Sequence, residues 1–133
     1  TPNSKELAAL SRCQIRDLDD VPVACASLLC QSRYILVTLG ENGVYVHENA
    51  TQTGKFYSSY QTKVVDSTGA GDAFVAGFAS AVVRNYAQDE SIRIGIVAAC
   101  LTLQSEHTVN PHLSFEQCVA FSTYPNSPFE DSA

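Results

Sequence analysis

The chain has 133 residues, enough for one domain of ordinary size, and a hydrophobic share of 45% that can supply a core. Its 14 acidic residues outweigh 8 scattered Lys and Arg, giving a formal net charge of -6. That balance argues against a DNA or RNA partner, which would call for a basic face; a local nest of backbone N–H groups can still bind an anion such as ATP.

No apolar run approaches the roughly 18 residues of a membrane helix, and no signal-peptide pattern opens the chain. Cys13, Cys25, Cys30, Cys100 and Cys118 are odd in number and mostly sit in apolar stretches. They read as reduced, buried thiols of a cytoplasmic protein, leaving a mitochondrial full-length form open. The chain contains no Met, so it is expected to begin partway through a longer protein.

In chain order, Asn3 to Leu10 predicts a short helix, with Asn3 as N-cap and Glu6 three residues later. Arg16 to Asp20 is a polar connection, and Val21 to Cys30 carries helical spacing, with Pro22 tolerated in the first turn. Tyr34 to Leu39 is a continuous apolar run suited to a buried, parallel strand. Gly40-Glu-Asn-Gly43 is a turn, and Val44 to His47 the returning strand, with His47 expected to be exposed. After a turn at Glu48 to Gly54, Lys55 to Tyr60 and Lys63 to Val65 are strand candidates, Phe56, Tyr57 and Tyr60 serving sheet packing.

Asp72 to Val83 is apolar nearly all round and predicts a centrally buried helix. Glu90 to Gln104 predicts a second helix with Ile92, Ile96, Ala99, Cys100 and Leu103 on one face. Asn110-Pro111 breaks it off, Ser114 to Gln117 is a capping box opening a last helix to about Ser122, and 125–133 reads as a loose tail. Alternating helices and strands with an inserted hairpin give an α/β class.

Chemistry concentrates in Asp66-Ser-Thr-Gly-Ala-Gly-Asp72. Gly69, Ala70 and Gly71 let a ligand approach the backbone, at a helix start whose amides lack intrahelical acceptors and whose dipole favours negative charge. This suits a phosphate, or charge developing during phosphoryl transfer. Asp72 would be repelled by a bound polyphosphate unless it works there as a base accepting a hydroxyl proton. The same residues also read as an ordinary helix start with a capping Asp.

Asp66 to Phe78 resembles the C-terminal signature of the ribokinase-like carbohydrate kinase family, also called PfkB. The resemblance implies that Asp72 is the catalytic base and that Gly69, Ala70 and Gly71 form an anion hole. Thr38-Leu-Gly-Glu-Asn-Gly43 resembles the family's turn bordering ATP, which puts Thr38, Gly40 and Gly43 beside the nucleotide. Asn3-Ser-Lys-Glu6 resembles its Asn-x-x-Glu motif, implying that Glu6 and Asn3 position Mg²⁺ and phosphate through water. Asp66 and Thr68 match positions used for a monovalent cation, possible K⁺ ligation being implied by the resemblance alone.

Two departures accompany this match. Gln104 to Ser114 replaces the usual Gly-Ala pair after the long helix, and Ile96 falls where ribokinases place an adenine-side Asn. Ser105 to Ser114 instead resembles the tail of pseudouridine kinases, which implies the 5′-hydroxyl of pseudouridine as acceptor. His107 and His112 read as loop histidines, lacking carboxylate or thiolate partners at ligand spacing.

The resemblance covers residues 1–133 as a partial domain, the C-terminal half of a ribokinase-like fold. It implies a partly parallel sheet with an antiparallel hairpin and flanking helices. The early Gly-Gly sugar-binding motifs are absent, so the expected partners are a sugar or nucleoside and either a second copy or the N-terminal half, with no nucleic acid and no membrane. An unpaired sheet edge and exposed apolar surface are expected. Alternatives are a non-catalytic nucleotide-binding module and a kinase for another sugar or adenosine.

Overall fold

Asn3 and Glu6 begin the first helix by exchanging hydrogen bonds, the Asn3 side chain accepting from the Glu6 amide and the Glu6 side chain from the Asn3 amide, both at 2.9 Å. Helix α1 (Ser4–Ser11) follows, ending at Arg12 in a left-handed conformation. In this computed structural model, residues 1–106 and 113–123 are described. The chain divides into two compact units, the first spanning Thr1–Ser58 and the second starting at Ser59.

In the first unit, α2 (Asp20–Ser27) precedes a three-stranded sheet of β1 (Tyr34–Thr38), β2 (Val44–Glu48) and β3 (Thr53–Tyr57) in the order β1-β2-β3. Leu7 of α1, Val21, Ala24 and Cys25 of α2, and Ile35, Val37, Leu39 and Tyr45 from the sheet region form one core cluster. Both ladders are antiparallel, as expected of the inserted hairpin, and among the described residues the parallel pairing expected of β1 is reduced to one bridge, Asn3 with Thr38. The apolar continuity of β1 reflects burial on both faces, and that burial does not itself require a parallel neighbour.

A single 3₁₀ turn at Gly40–Asn42 joins β1 to β2, where the sequence suggested an Asn-Gly hairpin turn. Gly43 adopts φ 87° and ψ -130°, a conformation that a Cβ would strain, and its carbonyl accepts the Leu39 amide at 2.8 Å. His47, expected to be exposed, is 2% accessible because β2 is the central strand and is covered on both faces. Its Nδ1 lies 3.5 Å from the Tyr45 hydroxyl, and its Nε2 has no hydrogen-bond partner among the described residues. Tyr45 also packs on Phe56, ring centroids 4.6 Å apart, and Tyr57 is buried, so Phe56 and Tyr57 serve the sheet as expected, whereas Tyr60 lies beyond the end of β3 and outside it.

The second unit holds α3 (Ala70–Val83), α4 (Gln88–Leu103) and α5 (Phe115–Ser122). Residues 63–65 form no strand; instead the Val65 and Asp66 amides both donate to the Leu103 carbonyl, at 2.8 and 3.3 Å. Helix α3 is not buried all round. Phe74 and Ala81 are inside, whereas Val75, Val82 and Val83 are exposed. Helix α4, read as one-faced, buries Ile92, Ile94, Ile96, Val97, Ala98, Cys100 and Leu101 and packs against both α3 and α5. The two helices thus exchange the roles expected of them.

Helices α3 and α4 cross closely at glycines. A Cβ on Gly77 would meet the Ala98 Cβ at 2.9 Å, and one on Gly95 would meet the Phe74 ring at 2.9 Å. At the start of α5, the Ser114 hydroxyl accepts from the Gln117 amide at 3.2 Å, one arm of the expected capping box. Cys25, Cys100 and Cys118 are buried free thiols, Cys13 is intermediate, and Cys30 is exposed. Residues 107–112 and 124–133, which include His107, Asn110-Pro111, His112 and the whole 125–133 tail, lie outside the described residues.

Candidate functional site

The Asp66–Asp72 segment begins where the Leu103 carbonyl holds the Val65 and Asp66 amides. The Asp66 carboxylate then accepts the Thr68 amide through Oδ1 at 2.8 Å, a turn in which a side chain replaces a backbone acceptor. That hydrogen bond holds the Asp66 carboxyl below its ordinary pKa. Gly69 follows at φ 83°, in the left-handed region where a Cβ would be strained, and α3 begins at Ala70.

The first turn of α3 has no side-chain cap. The Ala70 amide reaches the Ser67 carbonyl only at 3.5 Å, and the Ala73 amide makes the first firm helical bond, to Gly69 at 2.9 Å. Between them, the amides of Gly71 and Asp72 meet no protein acceptor among the described residues. A Cβ on Gly71 would find nothing within 4 Å. Asp72 is exposed in this first turn, its carboxylate without an ion-pair or hydrogen-bond partner among the described residues. Free donors at a positive helix end, beside an unengaged carboxylate, can receive an anion and accept a proton.

Sequence reasoning did not identify the helix crossing that carries this loop. Gly95 sits inside a helix, where glycine costs about 1 kcal/mol relative to alanine, and that cost is a legible signal of close packing. The Leu103 carbonyl acceptor leaves no side-chain signature.

The other candidate residues belong to the first unit. Asn3 and Glu6 are engaged with each other in the capping box, so Oε1 of Glu6 and the side-chain Nδ2 of Asn3 remain for other contacts. Thr38 lies beside Asn3 through the parallel bridge, and its amide donates to the Pro2 carbonyl at 3.0 Å. Gly40 has φ 59° and is exposed, with nothing within 4 Å of a built Cβ, whereas Gly43 is buried. Asn3, Glu6, Thr38, Gly40 and Gly43 are therefore gathered by α1, β1 and the turn after it. Asp66, Thr68, Gly69, Ala70, Gly71 and Asp72 form one continuous stretch of the second unit.

Among the described residues, no group of three or more His, Cys, Asp or Glu could hold a metal ion by itself. Any Mg²⁺ held by Glu6 would therefore keep water or phosphate oxygens as most of its ligands, which suits that ion. Asp66 has Oδ1 committed to the Thr68 amide, and its carboxyl also meets the Thr68 side chain. Ile96 is only 4% accessible, so it offers a ligand little surface. No helix among the described residues is long and apolar enough to cross a membrane.

The sequence profile of the pfkB family of carbohydrate kinases matches residues 1–114. Pseudouridine kinase of Escherichia coli is 30% identical over 120 residues, covering 90% of this chain and 38% of that protein. Ribokinase of Lactococcus lactis is 40% identical over 73 residues, 55% of this chain and 24% of that protein. Among solved structures, Arabidopsis thaliana ribokinase complexed with ribose and ATP superposes with a TM-score of 0.76 at 27% identity, over 90% of this chain and 40% of that one. The chain thus spans 24% to 40% of the length of these relatives.

Proposed function

Since this chain belongs to the pfkB family of carbohydrate kinases, we propose that the protein transfers the γ-phosphate of ATP to a hydroxyl of a sugar or nucleoside. One observation carries the reading: among the described residues, the Gly71 and Asp72 amides lack protein acceptors beside an exposed, unengaged carboxylate. Asp72 accepts the proton of the incoming hydroxyl, whose oxygen attacks the γ-phosphorus in line with the departing ADP oxygen. The amides from Gly69 to Gly71 meet the charge on the phosphoryl oxygens.

Thr38, Gly40 and Gly43 border the nucleotide in this reading. Glu6 and Asn3 would hold Mg²⁺ through water, and the ion would supply positive charge to offset that of the phosphates. Asp66, by a carboxylate oxygen, and the Thr68 carbonyl would hold K⁺. Pseudouridine is the proposed acceptor, supported by the 30% identity to a pseudouridine kinase over 90% of this chain. The 105–114 loop that first suggested it lies mostly outside the described residues.

For the 133-residue chain by itself we propose nucleotide binding with little turnover. The exposed Val75, Val82 and Val83 on α3 support a surface that awaits cover, by self-association or by further polypeptide. The test is phosphate transfer from ATP to pseudouridine, ribose and adenosine by the intact gene product, with Asp72→Asn alongside. The substitution should lower kcat on the order of 10²–10⁴-fold while leaving the ATP Kd nearly unchanged. Full turnover by Asp72→Asn would refute the assignment of the base, and transfer to none of the three acceptors would refute the substrate class.

A further inference from the structure

The stretch between the Leu103 anchor and α3 has few means of holding its shape. Ser67 and Thr68 are exposed, so packing constrains them little. The 3.5 Å contact from the Ala70 amide to the Ser67 carbonyl lies beyond the usual N–H···O range. Gly69, with no Cβ, would leave φ 83° at little cost if its neighbours allowed it. Asp66 supplies the strong local tie: its Oδ1 accepts the Thr68 amide at 2.8 Å, a hydrogen bond strengthened by the carboxylate charge, and its carboxyl also meets the Thr68 side chain.

We infer that Asp66 is a positioning residue, whose side chain fixes the turn at Thr68 and so keeps the Gly71 and Asp72 amides presented at the start of α3. The inference rests on the phosphoryl-transfer reading of this loop and deepens it. It assigns Asp66 a role separate from ligating a cation, because the oxygen that accepts from Thr68 can act without charge. An asparagine at position 66 offers the same acceptor, whereas an alanine offers none. The two substitutions therefore separate the acceptor from the charge.

The experiment compares wild type, Asp66→Asn and Asp66→Ala. It reads Thr68 amide hydrogen exchange and the Gly71 amide resonance in the free protein, and the Kd for ATP and for adenosine by calorimetry in K⁺ and in tetramethylammonium. Asp66→Ala should lose Thr68 protection, shift Gly71 and weaken ATP about tenfold, with adenosine affinity and melting temperature nearly unchanged. Asp66→Asn should restore protection and bring ATP affinity back to within about threefold of wild type.

An Asp66→Ala protein with wild-type Thr68 exchange and Gly71 resonance would overturn the inference. So would an Asp66→Asn protein as weak as Asp66→Ala in K⁺ but not in tetramethylammonium, since charge would then be the requirement. Should the wild type bind no ATP, the kinase reading fails, and the free-protein exchange and resonance still decide the role of Asp66.

Discussion

At the start of α1 the Asn3 and Glu6 side chains accept each other's amides at 2.9 Å, so the helix supplies its own cap. At the start of α3, Gly69 has no side chain to offer, and the Gly71 and Asp72 amides meet no acceptor among the described residues. Both motifs were expected to serve nucleotide and metal. The first achieves local satisfaction, and any further role must use the atoms left over. The second forgoes it, and unsatisfied donors at a helix end are what an anion needs. A stable helix start and a receptive one differ in whether the cap is internal.

Breaking the receptive end should have the larger effect. Gly69→Val would force a β-branched residue to φ 83°, at a cost of about 2 kcal/mol. The loop should relax to another conformation, and ATP affinity measured by calorimetry should fall at least about tenfold. Unchanged affinity would mean that the left-handed turn does not matter to binding.

Breaking the self-capped end should cost stability first. Asn3→Ala removes the acceptor for the Glu6 amide and should lower unfolding free energy by about 1 kcal/mol in urea, followed by circular dichroism. Asn3→Asp keeps an acceptor and should recover most of that loss. A variant that kept its stability yet lost Mg·ATP affinity would reverse the ranking of the two roles.

The smallest expected effect concerns pH. Burial holds the His47 imidazole below its ordinary 6.5, so the unfolded chain takes up the proton first. The contribution of His47 to stability is complete above about 6.5 and shrinks as pH falls below it, until the folded imidazole also protonates. Thermal melts from pH 7.5 to 5 should show this decline, and His47→Leu should flatten it. An equal decline in both proteins would assign the acid sensitivity elsewhere.

The sequence by itself determined the features that a few neighbouring residues can settle. Asn3 and Glu6 are three apart, so their cap closes within one turn of helix. Gly40 to Gly43 turns the chain because glycine tolerates the angles required. Gly69-Ala-Gly71 opens a helix without a side-chain cap, and the family resemblance draws on the span around it together with Asn3 to Glu6 and Thr38 to Gly43.

Tertiary structure alone decided which surfaces are covered. His47 lies inside because α2 packs on the face of β2 that it shares with Tyr45, and nothing adjacent to it in sequence announces that. Helices α3 and α4 are both apolar, yet α4 is enclosed and α3 leaves Val75, Val82 and Val83 outside. The 63–65 segment gives up strand pairing for a bond to Leu103, a residue far along the chain. Caps and turns are short-range balances of hydrogen bonds and backbone angles. Burial depends on which distant elements arrive, and the local pattern does not carry that information.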